Sequence, residues 1–269
     1  MTITRGPDDW TADRVQRFWD YYASHESLHG TYFGATAGAA VVHLLDLIGV
    51  LRGRVLDFGC GPGLILEHLC RRDVEGYGVD SSEQSVLNAG RRCQGLPGFR
   101  DVQRVDNGPT PWPDGWFDLI LCCETVEHVT PAIAAAIYAE QWRLLKPGGH
   151  LLITTPHSEN LQALMTFCPF CDSEFHGWQH LRSITPASLR AELMAAGFDV
   201  QQCQAIDLLS FDPPATLTRA PRLRRLISWT WRQALRLQGA IAPAAARRTE
   251  LWLRTFPGPH LIALAQKRH

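Results

Sequence analysis

An excess of charge of either sign is the first thing this 269-residue chain lacks: 26 Lys and Arg stand against 27 Asp and Glu, a formal net charge of −1. Without a basic footprint, nucleic acid is not an expected partner, although local patches stay open. Long apolar runs are missing as well, since no stretch reaches the roughly 18 consecutive apolar residues that a spanning helix needs. The first ten residues, MTITRGPDDW, are polar. They hold no apolar leader core, so a cytoplasmic location is expected. In that setting the eight scattered cysteines are read as thiols, most of them buried, and disulfides are not expected. The length suits one large α/β domain carrying inserts better than two equal domains.

What is present is organised around Arg54 to Gly63, RVLDFGCGPG. Val55, Leu56 and Phe58 read as a short strand that empties into Gly59, Gly61 and Gly63, and Leu64 to Arg72 follows with helical spacing. Glycines let backbone approach a ligand closely, and a helix start offers unpaired N–H groups, so a nucleotide-type cofactor is expected here. A glycine at the third position of G-x-G-x-x-G is lacking, however, and that is the position a dinucleotide's pyrophosphate site requires.

Downstream the pattern alternates. Gly76 to Asp80 reads as a strand ending in an acid, Glu83 to Cys93 as a helix, Arg100 to Val105 as a strand followed by Asp106, and Trp116 to Cys123 as a strand apolar enough to be covered on both faces. Pro131 to Leu145 then reads as a helix, Lys146-Pro147-Gly148-Gly149 as a turn, and His150 to Thr155 as a strand. Strand–helix alternation predicts a parallel, doubly wound sheet with its site along one edge. At that edge Asp80 suits a pair of ribose hydroxyls, or else caps the next helix, a role Ser81 or Ser82 also fits. Before the first strand, Phe18, Trp19, Tyr21 and Tyr22 form an aromatic stripe. It reads either as core packing or as a flap over cofactor and substrate.

The order of these motifs resembles the class I S-adenosylmethionine-dependent methyltransferases. The matching pieces are VLDFGCGPG at 55–63, the acid of Gly78-Val79-Asp80, Asp106 ahead of PWPDGWFD at 111–118, Glu127-His128, and LLKPGG at 144–149. The resemblance implies a Rossmann-like, seven-stranded sheet whose last strand is antiparallel, with Phe198 to Ala205 and His260 to Gln266 as its final two strands. It also implies a cofactor set of Asp57, Gly59, Gly61, Gly63, Asp80, Asp106, Asn107 and Glu124. The methionine part would lie on the glycine turn, the ribose on Asp80 and the adenine near Asp106. Domain bounds follow: 1–50 as helices covering the cofactor site, 51–206 with 259–269 as the methyltransferase domain, and 207–258 as a basic helical lid.

Methyl transfer to a hydroxyl needs a proton acceptor, and His128 is the candidate catalytic residue, with a structural histidine as the alternative. The spacing Glu124-x-x-Glu127-His128 resembles the ubiquinone-biosynthesis O-methyltransferases, where such groups accompany a divalent metal. The Asn/Asp-Pro-Pro-aromatic signature of amide and exocyclic nitrogen methylation is missing after the fourth strand, which favours an oxygen acceptor.

Two stretches fall outside that frame. Within an insert at 157–184, Cys168, Cys171, His176 and His180 follow C-x2-C-x4-H-x3-H, the donor set of a structural zinc clip. The competing reading is cysteines without metal and a substrate-facing His180. From Arg219 to Arg254, nine arginines stand against the single acid Glu250. That composition reads as a solvated helical lid, as capture of an anionic lipid-linked or sugar acceptor, or as contact with a membrane surface. Rival functions are a non-catalytic, cofactor-binding partner subunit and a dehydrogenase.

Overall fold

A computed structural model describes residues 2–106, 108–211, 213 and 258–268. Its first elements are the short strand β1 (Ile3–Thr4) and the helices α1 (Ala12–Ser24) and α2 (Phe33–Leu47). The alternating part runs β2 (Arg54–Phe58), α3 (Leu64–Cys70), β3 (Glu75–Asp80), α4 (Glu83–Cys93), β4 (Phe99–Arg104), β5 (Phe117–Cys123), α5 (Pro131–Leu144) and β6 (Leu145–Pro156). A hairpin of β7 (Met165–Cys168) and β8 (Ser173–His176) interrupts it before α6 (Pro186–Ala195), β9 (Phe198–Ile206) and β10 (His260–Lys267).

Seven strands form one sheet in the order β4-β3-β2-β5-β6-β10-β9. β2 to β6 are mutually parallel, while β10 runs antiparallel to both β6 and β9, as the resemblance implies. The order reverses between β2 and β5, and at that switch point crossovers leave the sheet in opposite directions and open a crevice at the strand C-termini. β5 shows why it sits centrally: Leu119, Leu121 and Cys123 enter one core with α2 and α3, and Ile120 and Cys122 enter the other with α5 and α6. Period-two alternation of apolar residues on both faces is the signature of a strand buried on both sides.

Three differences from the expected elements have local causes. Lys146-Pro147-Gly148-Gly149 is part of β6 rather than a turn before it; Gly148 takes φ of 77° and the pairing with β5 slips between Phe117 and Leu119, so the extra residues are absorbed as an irregularity. The two N-terminal helices also separate in role. Eight residues of α2 are buried, among them Ala40, Val41, Leu44 and Leu45, which makes it mainly a core helix that reaches the site only through its first residues, Phe33 and Gly34, while α1 lies across it. Finally, β1, β8 and β7 form a second, three-stranded sheet, so the 157–184 insert is a hairpin tied to the N-terminus.

Candidate functional site

A cavity of about 610 Å³ opens at the C-terminal ends of β2, β3 and β5. One end is made by the glycine turn. There the N–H groups of Gly59 and Cys60 donate to the Val79 carbonyl at 2.8 and 3.0 Å, locking the turn onto β3. Gly59 takes φ of 80°, and a β-carbon there would lie 2.5 Å from Thr125 Oγ1. Gly63, at φ of 79°, would place one 2.8 Å from the Ala89 Cα on α4. Both positions demand a left-handed backbone and leave no room for a side chain.

Two carboxyls line this end. Asp80 Oδ2 accepts from the Gly61 N–H at 2.8 Å and Oδ1 from the Ser82 N–H at 2.9 Å. Ser82 itself caps α4, its hydroxyl accepting from the Ser85 N–H, which leaves Asp80 free of capping and its remaining lone pairs on the cavity. Asp57 is only 1% exposed, and its Oδ2 has no hydrogen-bond partner among the described residues. Burial, reinforced by the Asp80 charge, pushes its carboxyl up to about 7. The Tyr32 hydroxyl above Gly61 is likewise buried and unpartnered. Unpaired buried polar atoms are costly, and the donors and acceptors of a bound ligand would satisfy them. The turn, Asp57 and Asp80 therefore fit the cofactor that the resemblance implies.

Asp106 does not belong to this end. Its carboxyl is exposed and held by Arg104 Nη2 at 2.9 and 3.1 Å, so although Val105 and Gly108 on either side line the cavity, the Asp106 side chain turns outward to the salt bridge. Its neighbour Asn107 lies outside the described residues, as do the stretch 219–254 and most of the expected lid at 207–258.

The other end is built from the tip of β5. Glu124 lines the cavity at φ of 46°, an uncommon conformation for a residue with a side chain, and its Oε1 accepts from the Thr154 hydroxyl at 2.9 Å. Burial raises its carboxyl to about 7. Glu127, 1% exposed, accepts from the Thr155 hydroxyl through Oε2 at 3.0 Å, while its Oε1 lies 3.9 Å from His128 Nε2 and has no hydrogen bond. Burial pushes Glu127 well above the carboxylate range. For His128, burial followed by its neighbour His180 works in the opposite direction and lowers the imidazole to about 3, so it is neutral at ordinary pH.

Helix α1 roofs both ends, but of its aromatic stripe only Trp19 lines the cavity, while Phe18 and Tyr22 pack against Trp10 and Trp178. Asp20 accepts from the Ser82 hydroxyl and the Ala23 carbonyl from Asn88 Nδ2, both on the cofactor side. On the other side Trp19 Nε1 donates to Gln179 at 3.0 Å, and its ring meets His128 edge-on at 4.7 Å. Among the described lining residues there is no Lys or Arg.

The expected metal groups are not assembled as their spacing suggests. In the β7–β8 hairpin, Cys168 pairs with Ser173 beside the turn, but His176 pairs with Met165 at the far end. Three residues of strand separate the two pairs by about 10 Å, whereas tetrahedral zinc draws its donors to roughly 2.0–2.3 Å from one ion. Cys171 is exposed, while His176 and His180 turn inward to Glu159. The four-ligand zinc clip is therefore corrected: two thiols at a turn and two buried histidines. The Glu124-Glu127-His128 trio is not gathered either, because Glu124 turns onto Thr154; the donor atoms that come together are those of Glu127, His128 and His180. His180, which the metal pattern had claimed, lines the cavity. Glu159 carried no motif and was missed; only its position three residues after β6 hints that it returns to the site.

Comparison with known proteins agrees with this geometry. A family described as a methyltransferase domain matches residues 12–203. A ubiquinone biosynthesis O-methyltransferase of Alkalilimnicola ehrlichii is 32% identical over 145 residues, covering 52% of this chain and 55% of that protein. One from Neisseria meningitidis serogroup C is 30% identical over 198 residues, 69% of this chain and 78% of that protein. The chain thus spans just over half of the first relative and about three quarters of the second. Among solved structures, the [4+2]-cyclase SpnF superposes with a TM-score of 0.59 at 22% identity over 99% of both chains. A DhpI–SAH complex gives 0.56 at 18% identity over 94% of this chain and 97% of that one. At such identities the superpositions carry the fold alone, and the cyclase shows that this fold is not bound to one chemistry.

Proposed function

The chain belongs to the methyltransferase-domain family, with the Rossmann-like class I fold, and on that premise we propose that it transfers a methyl group from S-adenosylmethionine to an oxygen of a small biosynthetic intermediate. The observation that carries this reading is the two-ended cavity: unpaired ligand-binding groups at the glycine turn, and a buried carboxyl–imidazole cluster at the tip of β5. The names of the relatives favour oxygen as the acceptor atom.

When bound, S-adenosylmethionine supplies an electrophilic methyl on a sulfonium, whose departure as a neutral thioether needs no acid. The protein's own task is mainly placement. Asp80 offers its remaining lone pairs to ribose hydroxyls, and Asp57 offers an unpaired oxygen to an ammonium or amide donor. Trp19 and Tyr32 close the crevice and exclude water. An apolar lining with no cationic side chain among its described members suits an uncharged acceptor better than a phosphate or carboxylate. Thermal-shift and calorimetric titration with S-adenosylhomocysteine tests the cofactor, with stabilisation expected for it and none for a nicotinamide dinucleotide. A reversed preference would return the chain to the dehydrogenases.

A further inference from the structure

We propose that His180 is the base that accepts the acceptor's hydroxyl proton, through Nε2, and that Glu159 is the residue that positions it; the inference rests on the oxygen-acceptor reading above. His180 lines the cavity, and its ring lies 4.7 Å from that of His128. Its Nδ1 meets Glu159 Oε2 at 2.5 Å. A carboxylate only accepts, so the proton of the neutral imidazole belongs on Nδ1, and the lone pair on Nε2 is left for the cavity.

A second histidine lies beside the carboxylate. His176 is 4% exposed, and its Nδ1 accepts from the backbone N–H groups of Trp178 at 3.3 Å and of His180 at 3.1 Å. Its proton therefore sits on Nε2, which faces Glu159 Oε1 at 3.6 Å. The two imidazoles stack at 4.6 Å with their planes 19° apart, and the carboxylate is bonded to His180 through Oε2 while its Oε1 stays beyond hydrogen-bond distance of His176 Nε2. Glu159, His176 and His180 could be counted as three metal donors, but the Nδ1 of His176 already accepts from two backbone N–H groups, which leaves its proton on Nε2 and takes it out of the donor set. The arrangement instead matches the logic of a base oriented by a carboxylate that also stabilises the imidazolium once formed.

His128 lacks such support. Its Nδ1 is buried without a hydrogen-bond partner, and the nearest carboxyl oxygen, Glu127 Oε1, lies 3.9 Å from Nε2. The titratable groups facing His180 are Glu127 and His128 from the tip of β5, Glu159 from the segment after β6, and His176 from β8. In the step itself the acceptor's O–H bond breaks and its proton passes to His180 Nε2. The oxygen's electron pair forms the C–O bond, the C–S bond breaks, and its pair remains on sulfur. The imidazolium later returns the proton to water.

Two measurements on the full chain test this. In protein labelled with nitrogen-15 histidine, the His180 resonance, assigned by its loss in His180→Gln, is expected as the Nδ1–H tautomer, and Glu159→Gln is expected to erode that preference. An Nε2–H tautomer, or an Nε2 signal that shifts when EDTA strips a bound metal, would overturn the assignment. With catechol as acceptor and saturating S-adenosylmethionine, His180→Gln is expected to lower kcat about 100-fold or more, the size usual for a lost general base. Affinity for S-adenosylhomocysteine should change by less than about threefold, because uniform binding is untouched. Glu159→Gln should move the acidic limb of the kcat profile to lower pH, since the imidazolium loses its counter-charge. Undiminished turnover in His180→Gln sinks the base alone, whereas binding of S-adenosylhomocysteine without any methylation by the wild type sinks the oxygen-acceptor reading and the base with it.

Discussion

The two ends of the cavity are made of different material. The glycine-turn end is mostly backbone: Gly59, Gly61 and Gly63 with the Val79 carbonyl, and two acids, all within 24 residues from Asp57 to Asp80, with the Tyr32 hydroxyl as the one side chain brought in from outside. The β5 end is side chains gathered from four separate stretches: Trp19, the Glu124–His128 segment, Glu159, and the hairpin's His176 and His180. A backbone site tolerates almost no substitution at its glycines and binds a part common to the whole family. A side-chain site can be rebuilt for each acceptor, which is how one fold hosts many chemistries.

The strongest way to break this contrast is to force a side chain into the turn. Gly59→Val places a branched group where a β-carbon already sits 2.5 Å from Thr125, at φ of 80°. Binding of S-adenosylhomocysteine by calorimetry should be lost, with a drop in stability on the order of 2 kcal/mol or more. Next in size, Asp80→Ala should weaken that ligand by about 10- to 100-fold, the worth of hydrogen bonds to a charged group. Trp19→Ala, at the other end, should spare S-adenosylhomocysteine to within a few fold while methyl transfer falls, and equal losses at both ends would dissolve the distinction.

A smaller effect concerns stability against pH. Asp57 is raised from 3.8 to about 7 in the folded state, so the native chain holds a proton there that the unfolded chain releases between those values. Native stability from this group is therefore present in acid and lost as pH rises through about 7. Asp57→Asn should raise stability at pH 8 by on the order of a few kcal/mol, read as a higher melting temperature, with little change near pH 4, and should lose cofactor affinity at the same time. Identical melting temperatures of the two proteins at pH 8 would show that Asp57 is not held out of water as the geometry has it.

The smallest expected effect tests the hairpin. Cys168→Ser with Cys171→Ser should change stability by less than about 0.5 kcal/mol, as for surface substitutions, and EDTA should not shift the wild-type melting temperature. A drop of several degrees on chelation would restore the zinc clip.

Legibility in the sequence follows the same division. The sheet and its antiparallel last strand were readable because each strand carries its own apolar pattern and each turn its own glycines, so local signals sum to the topology. Position alone left Ser81 or Ser82 as the α4 cap, which is Ser82, and placed Asp80 at the strand tip where it lines the cavity. The cluster around His180 was not readable as a cluster. His176 and His180 looked like partners of Cys168 and Cys171 because they are near in sequence, but β-pairing register, rather than spacing, decides which residues meet. Glu159 has no motif, and Trp19 read equally well as core. Asp106 is turned outward by a local contact, the salt bridge to Arg104, that family order does not encode.

The central claim is that the backbone end of this cavity holds S-adenosylmethionine, and calorimetric titration of the purified chain with S-adenosylhomocysteine tests it most directly. The account predicts one-to-one binding that Asp80→Ala weakens by about 10-fold or more. Absence of binding to the wild type, or binding indifferent to Asp80, would contradict it.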